Sequence, residues 1–469
     1  MKKMLIALSL SGALLGGSVA WAEEAVTAAS TPAENVAVAN TADTSLTTNS
    51  ELAAAPAPAE QTAAPAKEEP KLDTGDTSWI LVSTALVLLM TIPGLALFYG
   101  GMVRKKNVLG TMAHSFVAAA IVSITWVVIG YTLAFGSGNA FIGNLDKIML
   151  SGITTTALTG TIPEILFVIF QMTFAIITVA IITGSIAERM KFGAFVAFIT
   201  IWSVVVYAPI THWVWGGGWL ANDGALDFAG GTVVHINSGV AGLVAAYMLG
   251  KRMGLGRESM APHNLTLTVV GASLVWVGWF GFNGGSALGA NGSAGYALIA
   301  TQVAAAAAAI AWLITEKLIR GKASVLGGAS GAVAGLVVIT PAAGFVTVGG
   351  ALAMGLIGGV VCFWGITALK RALKADDSLD AFGLHGVGGI VGAILTAVFA
   401  SEFIMGDKVP TDMMHQLWVQ LEGVLATIAY SAVLTFIILK VIDLVIGIRV
   451  ASDDERMGLD LSQHGERVE

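Results

Sequence analysis

From Trp79 onward the sequence alternates between blocks of apolar and small residues and short polar breaks. A bilayer core takes about 20 apolar residues per helix. Eleven blocks approach that length, at about 79–99, 109–135, 163–186, 193–215, 230–250, 264–284, 295–316, 324–341, 346–369, 380–401 and 415–447. The eighth is short, and the last is long enough to bend or to run past the membrane. The pattern predicts an all-α integral membrane protein with eleven transmembrane helices.

The breaks orient it. After blocks one, three, five, seven and nine they read VRKKN, ERMKFG, KRMGLGRES, EKLIRGK and KRALKADD. After the even-numbered blocks only Lys147 and Lys408 occur, and no arginine. Excess Lys and Arg marks the cytoplasmic side. The first helix therefore enters from outside, and the C-terminal stretch GIRVASDDERMGLDLSQHGERVE is cytoplasmic.

Ahead of the first block, MKKMLIALSLSGALLGGSVAWAEE has two lysines, an apolar run and a small-x-small site at Ala20-Trp21-Ala22. This predicts a signal peptide over residues 1–22, cleaved after Ala22. Residues 23–77 are Ala, Pro, Thr and acidic residues, too poor in large apolar groups to bury a core. They are expected to be disordered and periplasmic. The membrane domain then covers 78–447 and a cytoplasmic tail 448–469, and the setting is a bacterial inner membrane.

Composition agrees. The chain is 55% hydrophobic and only 12% charged, with a mean hydropathy of +0.80; a soluble domain carries about a quarter charged residues. The net charge of −7 lies mostly in the N-terminal segment, and no nucleic-acid partner is expected. The single cysteine, Cys362, excludes an intrachain disulfide. No zinc-type Cys/His spacing, nucleophile–base set or cofactor loop is visible, so neither a metal, a cofactor nor an enzyme is expected. The 57 glycines suit helices packed backbone to backbone.

Two stretches break the apolar pattern. DFAGGTVVHINSGVAGLV contains His235, and DAFGLHGVGGIVGA contains His385. Both read His-x3-Gly-x2-Gly, with Asp227 and Asp380 upstream. LFYGG and GFNGG likewise close blocks one and six. Blocks one and five thus echo six and ten. Five spans per unit is an odd number, which makes the repeat five-plus-five and inverted. Inverted repeats place substrate sites near the midplane, and ionisable groups at that depth mark pathways. Simple counting does not bring the histidines level. His235 lies 16 residues before Lys251, and His385 eight after Asp377; tilt, or acidic residues drawn into the protein, must absorb the difference.

Each histidine alone also fits a satisfied interhelical hydrogen bond. Paired, neutral imidazoles offer donors and acceptors to a small neutral molecule, or a proton relay. They cannot replace the hydration shell of K⁺, and a metal site needs more ligands. The outer ends of the blocks supply Trp213, Trp215, Trp219, Phe280, Phe282 and Ser286, with Phe170 and Phe174 in block three. Aromatic faces attract cations and a hydroxyl accepts from an N–H cation. From spacing alone, an interfacial aromatic belt with i, i+4 packing is the stronger reading.

These motifs, with WVWGGGWL, GWFGFNGGSA and ITGSIAERMKF, together resemble the ammonium transporters of the Amt/Mep/Rh family, on the bacterial Amt side, over about residues 76–465. The resemblance implies a homotrimer of eleven-helix protomers, each with its own pore. It implies an outer ammonium site at Trp215 and Ser286, with Phe170 lining the vestibule. It implies a stacked gate of Phe174 and Phe282 and a twin-histidine pore at His235 and His385. Asp227 matches the family's acidic residue near the outer site, there to shape the site or to take part in deprotonation; a helix cap is compatible with both. The implied function is electrogenic uptake, with ammonia and the proton crossing separately. An electroneutral ammonia channel and an ammonium sensor are the competing expectations. The tail resembles the Amt tail that helps a PII-type signal protein plug the pore.

Overall fold

The computed structural model describes residues 71–468. The expected signal peptide, 1–22, and all but the last residues of the 23–77 segment lie outside the described residues. The described part is helical apart from one two-residue hairpin, Leu158–Thr159 with Ile162–Pro163. Among the described residues, ten helices are long and apolar enough to cross a membrane. They are α1 Thr74–Met102, α2 Lys105–Phe135, α3 Glu164–Ile186, α4 Phe192–Asn222, α5 Gly231–Leu249, α6 Leu265–Gly285, α7 Gly292–Arg320, α9 Val348–Leu373, α10 Phe382–Phe399 and α11 Met413–Ile446. The short eighth block forms α8, Val325–Ile339, of only 15 residues. The last block is one helix of 34 residues, about 51 Å long at 1.5 Å per residue.

Polar residues at the ends of the blocks act as caps. Asn264, Asn291, Ser324, Thr347 and Asp412 each accept a backbone N–H of the helix that follows. Asp73 does the same for α1, accepting from Asp76 at 2.8 Å. The polar run after Asp73 is therefore the first turn of the helix, which begins at Thr74. Within α1 the ladder widens to a π-helical stretch, Met90–Leu95, around Pro93, whose missing N–H cannot be bonded.

The glycines set the packing distance. A Cβ on Gly335 of α8 would lie 2.3 Å from the Ala304 carbonyl of α7, and one on Gly355 of α9 would lie 2.4 Å from the same oxygen. Three helices thus meet at one alanine. Helix α3 is central, with all but Ile165, Ile169 and Met172 buried along its length. Helices α5 and α10 cross where a Cβ on Gly239 would come within 2.3 Å of the Gly386 nitrogen. That crossing brings the turns carrying His235 and His385 together.

At the end carrying the basic loops, buried charges tie those loops together. Arg252 donates to Asp376 at 2.9–3.2 Å and pairs with Glu188 at 3.4 Å, while Arg104 meets Glu188 at 2.9 Å. Burial alone would raise both carboxyls. The arginines, Arg252 foremost, outweigh it and hold Glu188 and Asp376 below the ordinary carboxylate range. A depressed carboxyl stabilises fully above its unfolded pKa, near 4, and the stabilisation is lost as pH falls through the folded value. We therefore expect the thermal midpoint of the purified protein to hold from pH 7 to about 5 and to drop below about pH 4. Arg252→Met should cost about 3–5 kcal/mol above that range, because it leaves the buried Asp376 carboxylate without its ion-pair partner, while Glu188 keeps Arg104. A midpoint that rises on acidification would contradict the assignment.

Candidate functional site

Both histidines stand in π-helical turns that open their helices: His235 in Gly231–Ile236 and His385 in Phe382–Gly386. Each turn is fastened by an aspartate. Asp227 Oδ1 accepts from Gly230 (2.8 Å) and Gly231 (2.6 Å), and its Oδ2 from Thr232 (2.9 Å) and Val233 (3.1 Å). Gly230, at φ 113°, makes the left-handed bend that folds these amides around the carboxylate. On α10 the equivalent residue is Asp377, not Asp380. Asp377 accepts from Ala381 (3.1 Å) and Phe382 (2.8 Å) and, like Asp227, lies eight residues before its histidine. Asp380 instead turns to Lys370, at 2.6 Å. A buried Asp377 at the start of α10 absorbs the depth mismatch that counting left open.

The two imidazoles meet Nδ1 to Nδ1 at 3.2 Å, with ring centroids 5.2 Å apart. One nitrogen must donate and the other accept, so the rings hold complementary tautomers. Their Nε2 atoms then differ, one bare and one carrying hydrogen. His235 Nε2 is buried and has no hydrogen-bond partner among the described residues.

A line of aromatic rings leads to this pair. Trp215 meets Phe174 edge-on at 5.8 Å. Phe174 stacks on Phe282 at 4.3 Å and 23°. Phe282 lies 6.0 Å from His235. Phe170 sits edge-on to Phe174 at 5.1 Å and fills the notch left by Gly285, where a Cβ would be 2.8 Å from its ring. The Trp215 indole donates to the Asp227 carbonyl at 2.8 Å, so the Asp227 loop also orients the first ring of the line. Ser286 caps the same helix one turn beyond Phe282 and donates its hydrogen to the Phe282 carbonyl at 2.8 Å. Its lone pairs stay free to accept from an N–H group. Beyond the histidines a narrow cavity continues, walled by Met90, Leu95, Phe98, Ile177, Val275, Trp279 and His385. Apart from His385 that lining is apolar.

Other expected aromatics lie elsewhere. Trp213 packs on Trp219 (6.0 Å) and Tyr430 (4.7 Å), and Phe280 is half-buried, one position off the face of Trp279 and Phe282.

The residues brought together are thus a cation-attracting aromatic face, a hydroxyl acceptor, a stacked pair and two linked neutral imidazoles. The sequence model of the Ammonium Transporter Family matches residues 78–469. The chain belongs to the ammonium transporter family. The ammonium transporter of Bacillus subtilis is 52% identical over 402 residues, spanning 85% of this chain and 99% of that protein. Among solved structures, Mep2 of Candida albicans superposes with a TM-score of 0.76 at 38% identity, covering 82% of this chain and 88% of that one. A structure titled Sensor Amt Protein superposes with a TM-score of 0.78 at 30% identity, covering 83% and 98%.

Within this ammonium transporter fold, two site residues escaped the sequence reading. Trp279 stacks on His235 at 5.3 Å and 21°, its indole anchored on Thr340 at 2.9 Å. It lies three residues before Phe282, a spacing that shares a helix face. Asp377 was masked by two neighbouring acidic candidates in KADDSLD, Asp376 and Asp380; its distance from His385 singles it out.

Proposed function

We propose that this protein takes up ammonium by recruiting NH4⁺ at an outer site of Trp215, Ser286, Phe170 and Asp227. The ion gives up its proton there, ammonia passes the Phe174–Phe282 gate, and the proton crosses separately through His235 and His385. The observation that carries this reading is the unbroken line of rings from Trp215 to the bonded imidazoles, opening into an apolar cavity. An apolar passage penalises any ion that must keep its charge. Ammonium can surrender its proton, whereas K⁺ cannot. Size cannot separate the two, so the proton is the basis of selection.

We assign eleven membrane crossings, with α8 as the short one. The Asp-x7-His units of α5 and α10, each with its π-turn, support a five-plus-five inverted repeat. The basic loops support an outside N-terminus and a cytoplasmic tail in a bacterial inner membrane. The tail folds back on those loops: Lys106 donates to the Glu455 and Arg456 carbonyls, at 3.1 and 2.6 Å, and Asp460 accepts from Gly110 at 2.8 Å. We read this face as the docking surface of a PII-type protein on a homotrimer.

The test is a transport current from purified protein in proteoliposomes on an ammonium jump and a matched K⁺ jump. A current with ammonium only is expected. Ammonium binding without current would favour a sensor, the reading to which the Sensor Amt Protein superposition points, or an electroneutral ammonia channel. Trp215→Leu should remove a cation–π contribution of about 1–2 kcal/mol. The half-saturating ammonium concentration should then rise about 5–30-fold. An unchanged value would remove Trp215 from the recruitment site.

A further inference from the structure

Asp377 is buried, belongs to no ion pair among those described, and lies outside the line of rings. Its carboxylate nevertheless holds the turn that carries His385. Oδ2 accepts from Phe382 at 2.8 Å and Oδ1 from Ala381 at 3.1 Å, and these two amides open the π-turn in which His385 stands. Oδ1 also accepts from Ser185 Oγ, at 2.7 Å. Ser185 is wedged between the two histidine helices, because a Cβ on Gly242 of α5 would come within 2.4 Å of that same Oγ. One carboxylate thus fixes the start of α10 and, through Ser185, its seating against α5. The neighbouring backbone is pinned independently, with Leu379 donating to the Gly184 carbonyl at 2.8 Å and Ser378 receiving Arg189. The loop is therefore held even without Asp377, and what Asp377 adds is the register of the turn.

From this geometry we infer that Asp377 is a positioning residue for His385, setting the turn that brings its Nδ1 onto His235 Nδ1. This inference rests on the transport reading given above. A π-turn has a looser ladder than an α-turn, and without its cap the turn can rewind by a residue and swing His385 off His235. Asp377 itself meets no substrate.

The test is a double-mutant cycle in proteoliposomes with the full chain, using ammonium-jump currents. Asp377→Asn keeps one acceptor oxygen and the side-chain volume. It is expected to lower the maximal current about tenfold with the half-saturating ammonium concentration unchanged, the outer site being remote. In a His385→Ala background the same substitution should make no further difference. A residue with only a general structural role would reduce the current in both backgrounds, and that additivity, or a silent Asp377→Asn, overturns the inference. If His385→Ala alone leaves the current intact, the transport reading fails first and separately. Should Asp377→Asn not yield folded protein, Ser185→Ala removes the Oδ1 partner. It is expected to give a smaller loss of current that likewise vanishes in the His385→Ala background, and a loss that persists there overturns the inference.

Discussion

His235→Ala/His385→Ala is expected to abolish the selective ammonium current, lowering it at least about 100-fold, or to turn it K⁺-permeable. Each imidazole offers ammonia a hydrogen bond worth about 0.5–1.5 kcal/mol net. Losing both leaves a passage about as hostile to ammonia as a greasy tube. The proposed relay is lost with them, because it depends on the Nδ1–Nδ1 contact at 3.2 Å between the two rings. The cleared volume between Trp279 and Phe282 can admit water, and with water comes K⁺. The single variants should be milder, lowering the ammonium current but leaving it measurable, since each keeps one imidazole in the passage. Parallel ammonium and K⁺ jumps on the same proteoliposomes decide the matter. An ammonium current that survives unchanged and still excludes K⁺ would sink the relay, and a passive ammonia channel would take its place.

Much of this arrangement is legible in the chain because a bilayer imposes a strong pattern. Ten blocks became helices of spanning length for that reason. The histidines stand out because an ionisable group in an apolar run costs too much to be incidental. What escapes the sequence is what depends on distance across helices. The eighth block forms only a 15-residue helix because it packs against α7 and α9 through Gly331, Gly335 and Gly358 and needs no long lipid face of its own. The two histidine π-turns leave no residue signature, since the carboxylate that collects the amides of each lies outside the turn. Aromatic type does not separate Trp279, stacked on His235, from Trp213, stacked on Trp219. Asp377 and Asp380 are the same residue type three positions apart, yet one caps a pore helix and the other pairs with Lys370.

Asp227→Ala is expected to remove most of the folded protein from the membrane. Its carboxylate satisfies four consecutive backbone amides, and no other acceptor in the described residues takes over from it at Gly230, Gly231 or Thr232. A buried N–H left without a partner costs about 1–3 kcal/mol. Three of them cost about 3–9 kcal/mol, on the scale of the whole margin of a typical domain, about 5–15 kcal/mol. The damage reaches the outer site, because Trp215 hangs on the Asp227 carbonyl and its ring lies 3.3 Å from where a Cβ of Gly230 would be. Asp227→Asn separates the two roles of the residue. The amide oxygen can still accept from two of the amides, while the amide nitrogen faces the other two as donor against donor. That variant should fold with a lowered thermal midpoint, and the current per folded molecule, read where the half-saturating ammonium concentration shows the Trp215 end intact, then reports on deprotonation. A drop in that current would place Asp227 in the proton path as well as in the cap. An unchanged current would leave it a cap, and normal yield and midpoint for Asp227→Ala would remove even that.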